Sequence, residues 1–128
     1  MPTYSRVATK KSGCRRLTAH ISAPIVTGSD MPATMSSVIL QDKLRRELGY
    51  QNLIITDAME MGAITQQYTN GEAAVGCIKA GVDIVLGPQV FTEAFDAVIK
   101  AVEAGEITEQ RIDESVRRIL KLKQSIRK

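Results

Sequence analysis

Apolar residues recur along this chain in two rhythms. Three short runs, residues 17–21, 53–56 and 82–86, are rich in apolar and β-branched residues, and the second and third are bounded by Asn, Asp or Gly. That is the pattern of strands buried on both faces. Elsewhere the spacing lengthens to three or four. Ser36 suits the N-cap of a helix whose positions Val38, Leu40 or Gln41, Leu44 and Leu48 share a face; Met35 can staple onto Leu40, and Gly49 supplies a left-handed stop. Asn70-Gly71 predicts a break before a small-residue helix over 72–80, which Gly81 ends. Phe91, Phe95, Val98 and Val102 predict the inner face of a helix over 91–104 that Gly105 stops. Thr108 caps the last helix, with Ile107 stapled onto Ile112. Ile112, Val116, Ile119, Leu120 and Lys123 mark its inner face, while Arg117, Arg118, Lys121 and Arg127 favour its negative end as a solvated charge run. The order β-α-β-α-β-α-α predicts an α/β fold of parallel strands with right-handed crossovers.

The middle run carries the candidate chemistry. Leu53-Ile54-Ile55-Thr56 leads straight into Asp57 and then into Ala58-Met59-Glu60-Met61. A carboxylate at the carboxyl end of a buried parallel strand stands where α/β sheets bind their ligands. Aspartate is also a preferred N-cap, and a short helix over 58–64 would use Asp57 that way. On the residues alone both readings stand. Met59, Met61 and Ile64 read as soft apolar cover, in which methionine usually packs and only sometimes contacts a ligand. Gly87-Pro88 after the third run is a turn, without the glycine series of a nucleotide or phosphate loop.

Composition narrows the class. With 44% apolar and 24% charged residues, the 128-residue chain reads as one ordinary globular domain, about half the length of a (β/α)8 barrel. There is no apolar run of membrane-spanning length and no signal-peptide core, which gives a cytoplasmic expectation and no membrane partner. Cys14 and Cys77 form neither a disulfide framework nor a metal motif, and Cys77 is expected to pack as a small apolar residue. The net charge of +3 is segregated. Arg6, Lys10, Lys11, Arg15 and Arg16 are unopposed by any acid in the first seventeen residues. Such an arm can bind anionic surfaces, but it has no aromatic stacking platform or nucleic-acid motif; residues 1–16 are expected to be a poorly ordered, solvated segment, with no nucleic acid as partner.

Several separated motifs together resemble glycoside hydrolase family 3, in its β-N-acetylhexosaminidase branch. Ile55-Thr-Asp-Ala-Met-Glu-Met-Gly-Ala63 looks like the nucleophile segment. Ala19-His20-Ile21 with Pro24, then Pro32-Ala33-Thr34 with Ser36, resembles the preceding strand, loop and helix start. Glu72-Ala73-Ala74 through Lys79-Ala80-Gly81-Val82-Asp83, and residues 107–120, resemble the closing helices. The resemblance spans 18–123. It implies a partial (β/α)8 TIM barrel over 17–128, about the last three βα units, numbered six to eight in the barrel. It also implies a retaining glycosidase acting on N-acetylglucosamine-containing carbohydrate, with no cofactor and no metal.

In that family Asp57 would be the catalytic nucleophile and His20, the only histidine, would face the barrel mouth as a substrate contact. A core histidine satisfied by backbone carbonyls is the other reading of His20. The branch's acid/base histidine belongs to a Lys-His-Phe-Pro-Gly-His type segment that does not occur in this sequence. Glu60, three residues after Asp57, has no evident reason to stand across a glycosidic bond from it. The isolated chain is therefore expected to be inactive, and a non-catalytic structural or assembly fragment or a phosphate- or nucleotide-binding half barrel are the rival readings. Three strands cut from a closed barrel would leave two open edges and an apolar face. A homo-oligomer or a complementary barrel half is expected to cover them, with contacts centred on the three apolar runs.

Overall fold

A computed structural model describes residues 16–18, 24–60 and 62–126. Strands β1, Arg16–Thr18, and β2, Ile54–Thr56, pair in parallel with Arg16 opposite Ile54, Leu17 opposite Ile55 and Thr18 opposite Thr56. The third apolar run joins the other side of β2 through one parallel bridge, Ile55 to Ile84. Around that bridge Thr56 N donates to Ile84 O at 3.0 Å, and Asp83 N and Ile84 N both donate to Ile54 O at 2.9 and 3.2 Å. The spatial order is thus β1, β2 and the 82–86 segment, all running the same way.

Two expectations about the strands change. β1 begins at Arg16, one residue inside the stretch expected to be a disordered tail, and residues 19–21 lie outside the described ones. The third run is a bridge rather than a strand. Val82 at its start is fully buried, but Leu86 at its end is 46% exposed. There the hydroxyl of Thr56 takes the hydrogen bond of Leu86 N at 2.9 Å, so a side chain replaces the next main-chain rung. Gly87, with φ of 54°, then turns the chain away.

The stretch expected as a loop before the first long helix contains a short helix, α1, Pro24–Thr27, and a 3-10 turn, Ala33–Met35. Helix α2, Val38–Glu47, follows. The hydroxyl of Ser36 accepts from Ile39 N at 3.4 Å, the capping role expected of it. α2 is wound as a π-helix, ending with Leu48 N bonded to Lys43 O at 3.0 Å. Wider winding brings positions four apart into line. Leu40 and Leu44 are accordingly both buried, and Gln41 and Arg45 form the adjacent row. Gln41 lies against Gly81, where a Cβ would come within 2.7 Å of its Nε2.

A short helix α3, Gly62–Thr65, leads to α4, Asn70–Ala80. The expected break at Asn70-Gly71 is instead the first turn of α4. Thr69 and Glu72 form a reciprocal capping box: the Thr69 hydroxyl accepts from Glu72 N at 3.2 Å, and the Glu72 carboxylate accepts from Thr69 N at 3.3 Å. Gly71 is there because α5, Phe91–Glu103, passes so close that a Cβ would meet that of Ala97 at 2.7 Å. Gly76 likewise faces the side chain of Met35.

That close approach shifts the expected face of α5, leaving Val98 and Val102 half-buried. Ala94 and Ala101 are buried, whereas Phe91 and Phe95 are 67% and 54% exposed and stack on each other with centroids 5.8 Å apart. On α6, Glu109–Ile126, the Thr108 hydroxyl accepts from Arg111 N at 3.1 Å as a cap should, and Ile107 is buried. Its inward face differs from the expected one: Ser115 is buried while Val116 and Leu120 are exposed. The core gathers Leu40, Leu44, Ile54, Met59, Ile64, Ala73, Cys77, Ala80 and Val82. Leu53, Ile54 and Val82, expected to offer an uncovered apolar face, are buried; exposed apolar side chains lie mainly on α5 and α6, with Ile25, Met31, Leu86 and Val90 exposed elsewhere. No helix among the described residues is long and apolar enough to cross a membrane.

Candidate functional site

Asp57 follows directly on the last residue of β2, at the carboxyl end of the parallel pair. Three bonds fix the backbone on either side of it. Thr56 N holds Ile84 O, the Thr56 hydroxyl holds Leu86 N, and Met59 N donates to Leu86 O at 2.9 Å. The Asp57 carboxylate is half-buried, and its Oδ1 accepts from Ala58 N at 2.9 Å. The chain turns through Met59 and Glu60 before α3 starts at Gly62, so Asp57 does not cap that helix. Of the two roles open to it from the sequence, the strand-tip position is the one observed. Thr56 is the residue that sequence reading missed. A threonine between an apolar run and a carboxylate looks like ordinary β-propensity, but its hydroxyl is what clamps the two strand ends.

The opposite, amino end of the strands carries a second carboxylate. Asp83 has a fully buried side chain whose Oδ2 takes Arg45 Nη2 at 2.7 Å and Ile54 N at 3.0 Å. Its Oδ1 takes Arg118 Nη1 at 2.8 Å and the Ser115 hydroxyl at 2.7 Å. Arg111 reaches the same hydroxyl at 2.6 Å and caps the carbonyls of Ile78 and Val82. Arg45 Nη1 donates to the carbonyls of Tyr50 and Asn52. Burial pulls the pKa of Arg45 and of Arg111 below the ordinary guanidinium value, and the charge of Asp83 opposes that. With every carboxylate lone pair engaged, this cluster locks α2, β2, the third segment and α6 together. It is a structural junction, with no room for a ligand at the carboxylate.

His20 lies outside the described residues, so its expected place beside Asp57 does too. Glu60 is exposed on the turn. Cys77 is buried as expected, and burial pushes its thiol up to about 12 against the counter-effect of a hydrogen bond with Thr34. Among the described residues no group of His, Cys, Asp and Glu is arranged to hold a metal ion. The described chemistry at the carboxyl end is therefore one positioned carboxylate, suited to nucleophilic attack or to charge stabilisation.

Comparison with known proteins adds identity to this geometry. The model of the glycosyl hydrolase family 3 N-terminal domain, a TIM-barrel-type fold, matches residues 3–122. Beta-hexosaminidase A of Pseudoalteromonas piscicida is 32% identical over 126 residues, which cover 84% of this chain and 21% of that protein. The periplasmic beta-glucosidase of Salmonella typhimurium is 31% identical over 129 residues, 96% of this chain and 15% of its own length. Among solved structures, the family 3 beta-N-acetylglucosaminidase from Paenibacillus sp. str. FPU-7 superposes with a TM-score of 0.86 at 41% identity, over 96% of this chain and 24% of that one. The chain thus spans at most about a quarter of the length of these relatives.

Proposed function

The chain belongs to glycosyl hydrolase family 3, and from that premise we propose that it is the nucleophile-bearing part of a retaining hydrolase for β-N-acetylglucosaminides, with Asp57 as nucleophile. The observation that carries this reading is the fixed position of Asp57 at the carboxyl end of β2, clamped by Thr56 and Met59. An Asp57 oxygen attacks the anomeric carbon, the bond from that carbon to the leaving oxygen breaks, and a glycosyl ester forms that water later hydrolyses. The leaving oxygen takes a proton from a general acid, which must come from outside the Asp57 segment. Loss of general acid catalysis typically removes about 10²–10⁴-fold in rate, so the chain alone turns over alkyl glycosides negligibly.

In this proposal the parallel order β1, β2, third segment corresponds to the last three βα units of the barrel. His20 is proposed as a sugar contact, and a second copy or a complementary barrel half closes the open edges. The beta-glucosidase among the relatives supports glucosides as the second substrate class.

A fluorinated N-acetylglucosaminyl fluoride tests the assignment, because fluoride leaves without a proton and the missing acid is not needed for the first step. Incubation should place one glycosyl mass on the peptide containing Asp57, and Asp57→Asn should abolish it. A label on any other carboxylate, or persistence of the label in Asp57→Asn, overturns the assignment.

A further inference from the structure

We propose that the outer face of α6 is a self-complementary seam through which two copies of the chain join as an antiparallel, two-fold helix pair. Along α6, Glu109, Asp113, Val116, Leu120 and Lys123 recur at spacings of four, three, four and three. That is the rhythm of a coiled-coil seam. At 3.6 residues per turn the five positions fall within an arc of about 80° over a length of about 21 Å. The arc points away from the body of the chain. Val116 and Leu120 are 44% and 51% exposed. Glu109, Asp113 and Lys123 are exposed as well, and form no ion pair among the described residues. Arg118, on the opposite side of the helix, turns inward onto Asp83 at 2.8 Å.

The order of chemistry along the seam names the occupant. From the amino end it runs acid, acid, apolar, apolar, base. A second copy laid antiparallel and centred level with Arg118 sets Val116 against Leu120 of the other copy and Asp113 against its Lys123, and the two-fold axis repeats both contacts. A parallel pair would instead bring Asp113 to Asp113 and Lys123 to Lys123, like charges face to face. Antiparallel helices also oppose their macrodipoles. An anionic membrane surface suits a helix that is basic along its polar face, and here the acidic amino half would meet like charge. Exposed ion pairs add little strength, so Val116 and Leu120 of both copies hold the pair while the charges fix its direction and register. The pairing uses the helix that reaches Asp83 at the amino end of the strands, which leaves the carboxyl end with Asp57 open in each copy.

Sedimentation equilibrium of the chain at low and high salt tests this. The wild type should dimerise, more weakly as salt screens the seam. Asp113→Lys and Lys123→Asp should each weaken the dimer about 5–30-fold, because each turns two attractive pairs into two repulsive ones. An equimolar mixture of the two variants should restore it, since in the mixed dimer both contacts again pair opposite charges. Asp113→Asn and Lys123→Gln, which only remove the charges, should give a smaller loss and stand in if a reversal unfolds the chain. A monomeric wild type overturns the proposal, and one that sediments with phosphatidylserine vesicles instead makes lipid the occupant. Association that neither reversal weakens also overturns it and places the contact on another face, such as the Phe91 and Phe95 side of α5. A mixture no tighter than its two components overturns the antiparallel register and the proposal with it.

Discussion

At the scale of single residues, the two aspartates that end and begin strand segments have opposite fates, and the reason is access to partners. Asp57 was legible because a strand-tip carboxylate shows itself in local sequence. Asp83 was not, because Arg45, Ser115 and Arg118 lie 38, 32 and 35 residues away from it. Arg118 in particular read as one more cation at a solvated helix end. Asp83→Asn removes the carboxylate that pairs with two guanidiniums and should cost about 3–5 kcal/mol in urea unfolding, the usual penalty for leaving a buried charge uncompensated. Cys77 gives a pH-dependent prediction. Its thiol is shifted from 9.0 to about 12 by burial. Between those values the unfolded chain releases the proton and the folded chain keeps it, so the folded state binds more protons and stability falls as pH rises. From pH 8 to pH 10 the wild-type chain should lose about 1–2 kcal/mol more than Cys77→Ala in parallel urea titrations.

At the scale of elements, periodicity located the helices well and their faces badly. α5 has a regular aromatic stripe at Phe91 and Phe95, yet the side turned inward is Ala94, Ala97 and Ala101. An apolar stripe says which side of a helix dislikes water; interhelix distance decides what fits. With Gly71 opposite Ala97 the two helices are too close for a phenylalanine between them. Gly71→Ala should therefore destabilise by about 1–3 kcal/mol through overpacking. In an exposed helix the same change would stabilise by about 1 kcal/mol, so the sign of the measured change tests the contact. The capping box of α4 was present in the sequence as Thr69-x-x-Glu72 and was hidden by the glycine between them. Thr69→Ala should lower stability by about 1 kcal/mol, measurable by the same denaturation.

At the scale of the whole molecule, the parallel sense and order of the strand segments were legible, because three apolar runs separated by helices permit few topologies. The extent of the third strand was not. It depends on the Thr56 hydroxyl accepting from Leu86 N in place of a main-chain rung and on Leu86 lying 46% exposed at the rim. Exposed Phe91, Phe95, Ile99, Val116 and Leu120 make up an apolar surface on the outer helices. That helix surface predicts self-association that sedimentation detects at micromolar concentration, reduced at least several-fold by Phe95→Glu, which adds a charge to an exposed site without touching the core. A monomer in both proteins would remove the basis for a contact through these helices. The junction at Asp83 also dictates an order of events during synthesis. Arg45 and Asp83 emerge early, but Ser115 and Arg118 emerge only as the last helix is made. Until then the carboxylate has only part of its ligand set, so the nascent chain cannot close its amino-end junction. Formation of α6 is therefore the step that completes this junction.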